Sequence, residues 1–370
     1  MDKVLGIINF EHDSCHIQGL SDHHNLASLS ILGRYRLIDF VLSNITNSGV
    51  DKVQIYTKKD AKSLFEHIGN GEQYNINSKT GKLNIIPYVS TQASIYNNDM
   101  AAFRKNIKYI IDGSSNYIIV APTHFVYQQD FQEVLKKHIE DENEITVLYS
   151  KQDNCKQNYY NANILKFDKE KKLKGITKNL GSKEVCDISL DTYIFNTDVF
   201  IKLINKSKGI SELFTLSDII DFSIDTYKVG VYKHKGILFL VNSLESYLKT
   251  NIALKDTSYI NKLNGLGWNL FTATKDSSPT LYSKSCNISN SLIANGCFIE
   301  GTVINSVISR NVIIKKGAII KDSVILSGSY ISELSYLDKC IVDKEASINH
   351  VKKLEGTEKD PCYIKREGII

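Results

Sequence analysis

The C-terminal quarter of the chain carries a repeat that restricts its fold more than any other feature of the sequence. Past about residue 280, aliphatic residues recur at six-residue intervals, which suits neither a helix nor an isolated amphipathic strand. Such spacing is typical of a parallel β-helix, in which each short strand places one aliphatic residue inside and a small residue at the corner. An ordinary β-rich domain with chance spacing is the alternative. The repeating positions are Ile313, Ile319, Ile325, Ile331 and Leu337, with a looser series upstream at Ile288, Ile293, Ile299, Ile304 and Ile308.

A β-helical coil cannot bury its apolar face alone, so the coils must stack on each other and on something else. The lateral face or the open end of such a solenoid is a natural subunit interface. We therefore expect this region to serve in assembly.

Before the repeat, residues 1–250 alternate strand-like with helix-like segments. The segments VLGIIN (4–9) and NYIIVAP (116–122) predict buried strands, and YRLIDFVLSNITNSG (35–49) predicts an amphipathic helix. This alternation favours a mainly parallel sheet with helices on both faces. Because ligands of such sheets bind at the carboxyl ends of the strands, the loops after these two strands are the predicted functional region.

The predicted organisation has three parts. An α/β domain spans residues 1–255, a connection spans 256–280, and the β-helix domain spans 281–370.

Composition excludes several classes of protein. A net charge of +4 over 370 residues is too slight for a nucleic-acid-binding protein, and the densest basic stretch (167–175) also contains acids, which indicates a solvated hairpin tip. No apolar run reaches membrane-spanning length. The seven cysteines occur singly, which favours reduced thiols. We expect a cytoplasmic protein with no nucleic-acid or membrane partner.

The segment after the first predicted strand lacks the glycines of a phosphate-binding loop. Asn9, Phe10 and Glu11 follow that strand, and the first glycine after them is Gly19. Histidines and cysteines cluster nearby, but their spacing matches no familiar zinc pattern, so we expect a polar loop rather than a metal site. These residues are His12, Cys15, His16, His23 and His24.

The stretch GRYRLIDFVLSNITNSGVDKVQIYT (33–57) resembles the signature G-[KR]-[YF]-R-[IL]-I-D-F-x-L-S-N-x-x-N-S-G-[IV] of glucose-1-phosphate adenylyltransferases. The segment EHIGNG (66–71) resembles the H-I-G-x-G segment of the same family. The similarity continues through residues 123–131 and 192–200 into the β-helix. It implies a Rossmann-like nucleotidyltransferase domain with a mixed, mostly parallel sheet, followed by a left-handed parallel β-helix of hexapeptide repeats.

Catalytic members of this family join ATP and glucose 1-phosphate into ADP-glucose and release pyrophosphate, with magnesium neutralising the polyphosphate. They hold the triphosphate on a G-G-x-G-x-R-L loop, where this chain has the degenerate positions Asn9, Phe10 and Glu11. The negative charges of Glu11 and Asp13 would repel a polyphosphate.

Both metal-binding carboxylates of the family are also absent from the matching positions. The aspartate of the A-G-D-H segment corresponds to Thr123, and the aspartate of the D-V-G-T-[LI] segment corresponds to Leu240. A threonine is a poor ligand for a hard cation, and a leucine is none. The resemblance thus implies a degenerate catalytic site without a metal.

Some features of the sugar side survive. Lys178 stands in the sugar-phosphate position of the F-V-E-K-P segment, although a surface lysine after a hairpin is the alternative interpretation. Ser189 stands where the S-x-G-[IV]-Y segment has a sugar-contacting serine, and Asp191 replaces its glycine. We predict a vestigial sugar-phosphate site at Lys178 and Ser189. Arg36 and Asp39, in the matching signature, we interpret as structural.

The resemblance therefore favours a GlgD-type, non-catalytic regulatory subunit of glycogen biosynthesis. Its expected partner is the catalytic homologue, in a heterotetramer, although a homo-oligomer alone is possible. A sugar phosphate or a nucleotide is a possible ligand. No cofactor is expected, and Mg²⁺ would matter only for residual activity. Two alternatives remain: an active nucleotidyltransferase that uses His124 with Asp99 or Asp191 around a metal, and a non-catalytic protein that self-assembles to bind a ligand.

Overall fold

The computed structural model describes residues 3–9, 15–57, 62–76, 81–87, 98–265, 267–349 and 353–370. These residues pack as two units. One unit lies within residues 1–14 and 40–238, and the other within 15–39 and 239–370. Packing thus groups residues 15–39 with the C-terminal unit, whereas the sequence-based boundaries at 255 and 280 follow the order of the chain and stay a prediction.

The first thirteen strands precede the repeat region and are interspersed with helices. The described strands are β1 (Val4–Asn9), β2 (Ser30–Ile31), β3 (Tyr35–Arg36), β4 (Lys52–Thr57), β5 (Lys82–Pro87), β6 (Tyr117–Pro122), β7 (Phe125–Val126), β8 (Ile145–Gln152), β9 (Asn163–Phe167), β10 (Leu173–Lys178), β11 (Cys186–Asn196), β12 (Val229–Lys233) and β13 (Phe239–Leu240). The described helices are α1 (Leu20–His23), α2 (Leu37–Asn47), α3 (Lys62–Ile68), α4 (Asp99–Lys105), α5 (Ile107–Asp112), α6 (Phe131–Glu140), α7 (Thr197–Ile210), α8 (Leu216–Asp221), α9 (Leu244–Leu254) and α10 (Thr257–Leu263).

A mixed sheet forms the centre of the first unit. Its strands run in the order β10-β9-β11-β6-β1-β4-β5, and β8 joins β11 to β12. The pairs of β1 with β4 and β6, and of β4 with β5, are parallel, whereas β11 is antiparallel to β6. The predicted mixed α/β fold is confirmed. The basic stretch at 167–175 forms the tip of the antiparallel β9–β10 hairpin.

The register of the sheet places the ends of β1 and β6 side by side. Asn9 pairs with Pro122, so the loop after each strand begins at the same edge. Both strands are buried along almost their whole length, and each lies between two neighbouring strands of the sheet. This edge therefore carries polar residues that come from distant parts of the chain.

The C-terminal unit contains the predicted β-helix, in which short strands stack into three parallel sheets of five among the described residues. Every third strand belongs to the same sheet, so successive coils lie directly above each other. These strands are β14 (Leu281–Tyr282), β15 (Asn287–Ser289), β16 (Leu292–Ile293), β17 (Phe298–Ile299), β18 (Thr302–Ile304), β19 (Val307–Ile308), β20 (Ile313–Ile314), β21 (Ile319–Lys321), β22 (Val324–Ile325), β23 (Tyr330–Ile331), β24 (Tyr336–Asp338), β25 (Cys340–Val342), β26 (Ser347–Ile348), β27 (Lys353–Glu355) and β28 (Cys362–Ile364).

The inward register differs from the strict six-residue series in part of the repeat. That series predicts Ile313 and Ile319 inside, but they are 38% and 37% exposed. Their neighbours Ile314 and Ile320 fill the core instead and are fully buried. Ile314 pairs with Ile331, 17 residues further on, whereas three six-residue steps would take about 18. The step from Ile320 to Ile325 spans five residues instead of six. A strict six-residue spacing counted back from Ile325 therefore selects Ile319 and Ile313, each one position before the buried residue.

Residues 15–39 contact the rest of the C-terminal unit through the buried side chain of His24. His24 Nε2 lies 2.8 Å from Asp343 Oδ1, and the Tyr363 hydroxyl donates to Asp343 Oδ2 at 2.8 Å. Gly33 has a φ of +70°, and a Cβ there would meet the Ile308 carbonyl oxygen at 3.0 Å. Glycine is therefore required at the point where this segment touches the β-helix.

Within the described part of the chain, no helix is long and apolar enough to cross a membrane. The seven cysteines, all of them described, are free thiols.

Candidate functional site

The strand-end site, comprising Asn9, Asp99, Thr123, His124 and Asp191, lies in the first unit at the edge where β1 and β6 end. Asn9 closes β1, while Thr123 and His124 follow β6. Exposure of these three residues is 4%, 1% and 2%, so the chain buries polar groups at this edge. Phe10 and Glu11, the other loop positions that the resemblance predicts to be degenerate, lie outside the described residues.

Asp99 holds the first part of this site together. Its Oδ2 accepts a hydrogen bond from Asn9 Nδ2 at 2.8 Å, and its Oδ1 accepts the backbone N–H groups of Met100 (2.8 Å) and Leu216 (3.0 Å). The carboxylate is fully buried at the first turn of α4, where the helix N-terminus favours a negative charge. Both of its oxygens therefore serve to join β1, α4 and the start of α8.

Asn9 Oδ1 and Thr123 Oγ1 are among the buried polar atoms of the described residues that have no hydrogen-bond partner. Leaving such atoms without a partner costs about 1–3 kcal/mol each, so natural proteins retain them where a ligand or water completes the bond.

Asp191 forms the second part of the site at an irregularity in β11. The pairing of β11 with β8 shifts register between Ser189 and Tyr193, and Asp191 there has a φ of +47°. Its Oδ1 accepts from Asn163 Nδ2 at 2.8 Å and from the Tyr193 hydroxyl at 3.3 Å. This left-handed backbone is one that glycine adopts without strain, which gives a physical reason for the glycine of the matching motif.

The surroundings of Asp191 keep its carboxylate ionised. Burial acts to raise its pKa, but the imidazole of His124, whose Nε2 lies 3.6 Å from Oδ2, the amide of Asn163 and the charge of Lys178 act in the opposite direction. Together they lower the pKa of Asp191 to about 2. The acid is therefore a fixed negative charge at any physiological pH.

The two predicted sugar-phosphate residues lie close to Asp191. Lys178 ends β10 with an exposed side chain, and its charge acts on Asp191. Ser189 is fully buried, and its Oγ accepts the Asp191 backbone N–H at 3.1 Å. The binding role of both residues stays a prediction. Sequence reasoning missed Asn163 and Tyr193, since neither stands in a quoted motif and both act through contacts across the sheet.

Asp39 has a local structural contact in the C-terminal unit. It is fully buried in the first turn of α2, and its Oδ2 accepts the Arg36 backbone N–H at 2.8 Å. An acid in this position satisfies an N–H group that the start of a helix leaves open.

Comparison with known proteins places the chain in a family. Residues 18–236 match the nucleotidyl transferase family, and residues 279–360 match the GlmU-like C-terminal hexapeptide family. The chain is 31% identical over 292 residues to a glucose-1-phosphate adenylyltransferase of Mycoplasma mobile, an alignment that covers 75% of this chain and 74% of that protein. The chain belongs to the glucose-1-phosphate adenylyltransferase family. The family resemblance of the motifs is thereby confirmed.

Other relatives of this adenylyltransferase-family chain carry a different name. It is 27% identical over 374 residues to the glycogen biosynthesis protein GlgD of Bacillus subtilis, which covers 100% of this chain and 97% of that protein. It is 29% identical over 316 residues to the GlgD protein of Geobacillus stearothermophilus, with coverages of 84% and 81%.

Magnesium, which the resemblance implies for catalytic members of the family, does not fit Thr123 and Leu240, the residues at the two positions that match the family's metal-binding acids. Thr123 offers a neutral hydroxyl, and Leu240, which ends β13, is a buried aliphatic side chain. Within the described ranges, no group of three or more His, Cys, Asp or Glu side chains could hold a metal ion. The alternative ligands Asp99 and Asp191 already accept hydrogen bonds from protein groups, so no step is assigned to a metal.

A cationic cluster in the C-terminal unit was missed by sequence reasoning. It comprises Arg36, Lys275, Lys344 and Arg366, which lie far apart in the chain, so no local motif marks it. Burial, together with the charges of Arg36, Arg366 and Lys275, lowers the pKa of Lys344 to about 8 against the opposing effect of Asp343. Arg366 is partly balanced by Glu345 and Glu367, at 3.5 and 3.2 Å. The positive charge that these residues contribute around Lys344 favours an anion there.

Replacing Lys344 by Met should stabilise the unliganded protein at pH 7 by about 2–4 °C in Tm. We also expect inorganic phosphate to bind near Lys344, and Lys344→Met to weaken that binding about tenfold. The folded pKa of Lys344 lies below its unfolded value, so the charge opposes folding below pH 8 and this penalty fades as pH rises from 8 toward 10.5. The Tm difference between variant and wild type should therefore shrink above pH 8. Thermal scans with and without inorganic phosphate measure both effects.

The exposed Lys316 supplies the matched control, since Lys316→Met removes the same charge from the same unit. If Lys316→Met and Lys344→Met change the affinity for phosphate equally, the cationic cluster around Lys344 is not an anion-binding site.

Proposed function

We propose that this chain is a catalytically degenerate, regulatory subunit of cytoplasmic glycogen biosynthesis. It would assemble with a catalytic glucose-1-phosphate adenylyltransferase and adjust that partner's conversion of ATP and glucose 1-phosphate into ADP-glucose and pyrophosphate. Its similarity along its whole length to a protein named GlgD supports this proposal. In this proposal the chain has no cofactor of its own, and magnesium belongs to the substrate complex of the partner.

The observation that carries the proposal is the chemistry of the strand-end site. Neutral Asn9 and Thr123 stand at the ends of β1 and β6, where the family motifs have a phosphate loop and a metal-binding acid. Loss of one preorganised electrostatic group costs about 3–4 kcal/mol of transition-state stabilisation. The losses at Thr123, Leu240 and the loop are not additive, but each acts against the same polyphosphate chemistry.

The outer face of the β-helix supports assembly with a partner. One column of outward side chains in the sheet β14-β17-β20-β23-β26 is apolar over four coils, because Leu281, Phe298, Ile313 and Tyr330 are register neighbours. Leu281 is 65% exposed. A homologous β-helix would cover such a stripe, and we propose a heterotetramer of this chain with its catalytic homologue.

Co-expression with the catalytic homologue tests the proposed function. We expect the two chains to co-elute in size-exclusion chromatography with light scattering, and the saturation or effector response of ADP-glucose synthesis to differ from that of the homologue alone. The double variant Leu281→Glu/Ile313→Glu should lower the affinity between the two chains at least about tenfold, since it places two charges on the apolar stripe. The two chains should then elute separately. Lys316→Glu, on an exposed corner, is the matched control.

Two other outcomes would contradict the proposal. Co-elution and kinetics unchanged by mixing would favour the protein that self-assembles to bind a ligand. Robust ADP-glucose synthesis by this chain alone would favour the nucleotidyltransferase with unusual ligands.

A further inference from the structure

The strand-end site already contains an anion that belongs to the chain itself. Asp191 is the residue that stands in place of the motif glycine, and its side chain reaches Asn163, Tyr193 and the neighbourhood of His124. Only 11% of this side chain is exposed. A glycine at this position would leave the space that the Asp191 carboxylate fills open to a ligand.

The partners of Asp191 are the groups that an anionic ligand would need. The amide of Asn163 and the hydroxyl of Tyr193 donate to Oδ1, and His124 Nε2 lies 3.6 Å from Oδ2. Lys178, the lysine that the family motif places on a sugar phosphate, contributes its positive charge to the same carboxylate. Donors of this kind bind carboxylate and phosphate oxygens alike.

We propose that Asp191 is a built-in anion that occupies the phosphate subsite beside His124 and Lys178, and so excludes sugar phosphates from the strand-end site. A phosphate brought close to an ionised, poorly solvated carboxylate meets a repulsion that water screens little. By keeping sugar phosphates out, Asp191 would limit the ligands that the strand-end site can bind. This inference rests on the proposed function, because a subunit that does not catalyse the reaction has no need to bind a sugar phosphate there.

Binding of glucose 1-phosphate to the isolated full chain, measured by titration calorimetry without magnesium, tests this inference. We expect weak binding to the wild type and binding at least about 100-fold tighter to Asp191→Gly, which suits the left-handed backbone. Asp191→Asn removes the charge and nearly keeps the shape of the side chain. If the glycine variant does not fold, a higher affinity of Asp191→Asn for glucose 1-phosphate supports the inference instead. Asp153→Asn, an exposed acid, controls for net charge.

The gain should depend on the proposed donors. Adding Lys178→Met or His124→Ala to Asp191→Gly should each reduce the gained affinity at least about tenfold. The inference is overturned by equal affinity in the wild type and the Asp191 variants, by no gain in either variant, or by a gain that survives both second substitutions. None of these results depends on co-assembly, so they are separate from the test of the proposed function.

Discussion

Assayed alone with ATP, glucose 1-phosphate and Mg²⁺, the protein is expected to form ADP-glucose at least about 10³-fold more slowly than a catalytic homologue. The reason is the strand-end site, where Asn9 and Thr123 supply no charge of the kind that the reaction needs. Asp99, one of the two acids of that site, accepts hydrogen bonds at both oxygens. Release of pyrophosphate, followed under identical conditions for both proteins, measures the ratio.

A single restored acid should leave the rate low. In Thr123→Asp, we expect less than about tenfold recovery, because the predicted degenerate positions at Leu240 and in the loop after β1 would still lack the family's groups and such groups act as a unit. The matched control is Thr192→Asp, a buried threonine of β11 that hydrogen-bonds to Tyr127 instead. A wild-type rate within tenfold of that of the homologue would refute the degenerate site.

Ile314→Asp is expected to destabilise the C-terminal unit by about 4 kcal/mol or more, whereas Ile313→Asp should cost less than about 1 kcal/mol. The two residues are adjacent and chemically identical, but Ile314 is fully buried between Ile299 and Ile331 and Ile313 is 38% exposed. A carboxylate in the dry core of the β-helix has no partner, while one on the outer face stays in water.

Urea unfolding followed by circular dichroism compares the two variants, and hydrogen exchange locates the affected coils. A larger loss for Ile313→Asp would restore the strict six-residue register and contradict the inward position of Ile314. Ile320→Asp with Ile319→Asp repeats the comparison one strand further on, since these neighbours show the same contrast in burial.

Local pattern was enough to predict the architecture. Apolar strands alternating with amphipathic helices favour one packing, a central sheet with helices over it, and a six-residue repeat favours stacked coils. The register inside the β-helix could not be read in the same way. Adjacent isoleucines at 313 and 314 have equal hydrophobicity, so only the length of each corner decides which of them points inward.

The motifs predicted which chemical groups are missing from the strand-end site, but they did not predict what replaces them. Asn9 and Asp99 are 90 positions apart, and Asn163 and Asp191 are 28 apart. No periodicity connects such residues, because their contacts depend on strand order and on the irregularity in β11. The cationic cluster around Lys344 was missed for the same reason.

The sequence by itself determined the fold class and the family motifs, since these follow from residue type and local spacing. The correspondence of Thr123 and Leu240 to acids of the family follows from the motif resemblance and stays a prediction. Only the tertiary structure decided that Asp191 lies among donors suited to a phosphate, and that Ile314 rather than Ile313 fills the β-helix. Both depend on contacts between segments distant in the chain, where a shift of one residue reverses the direction of a side chain.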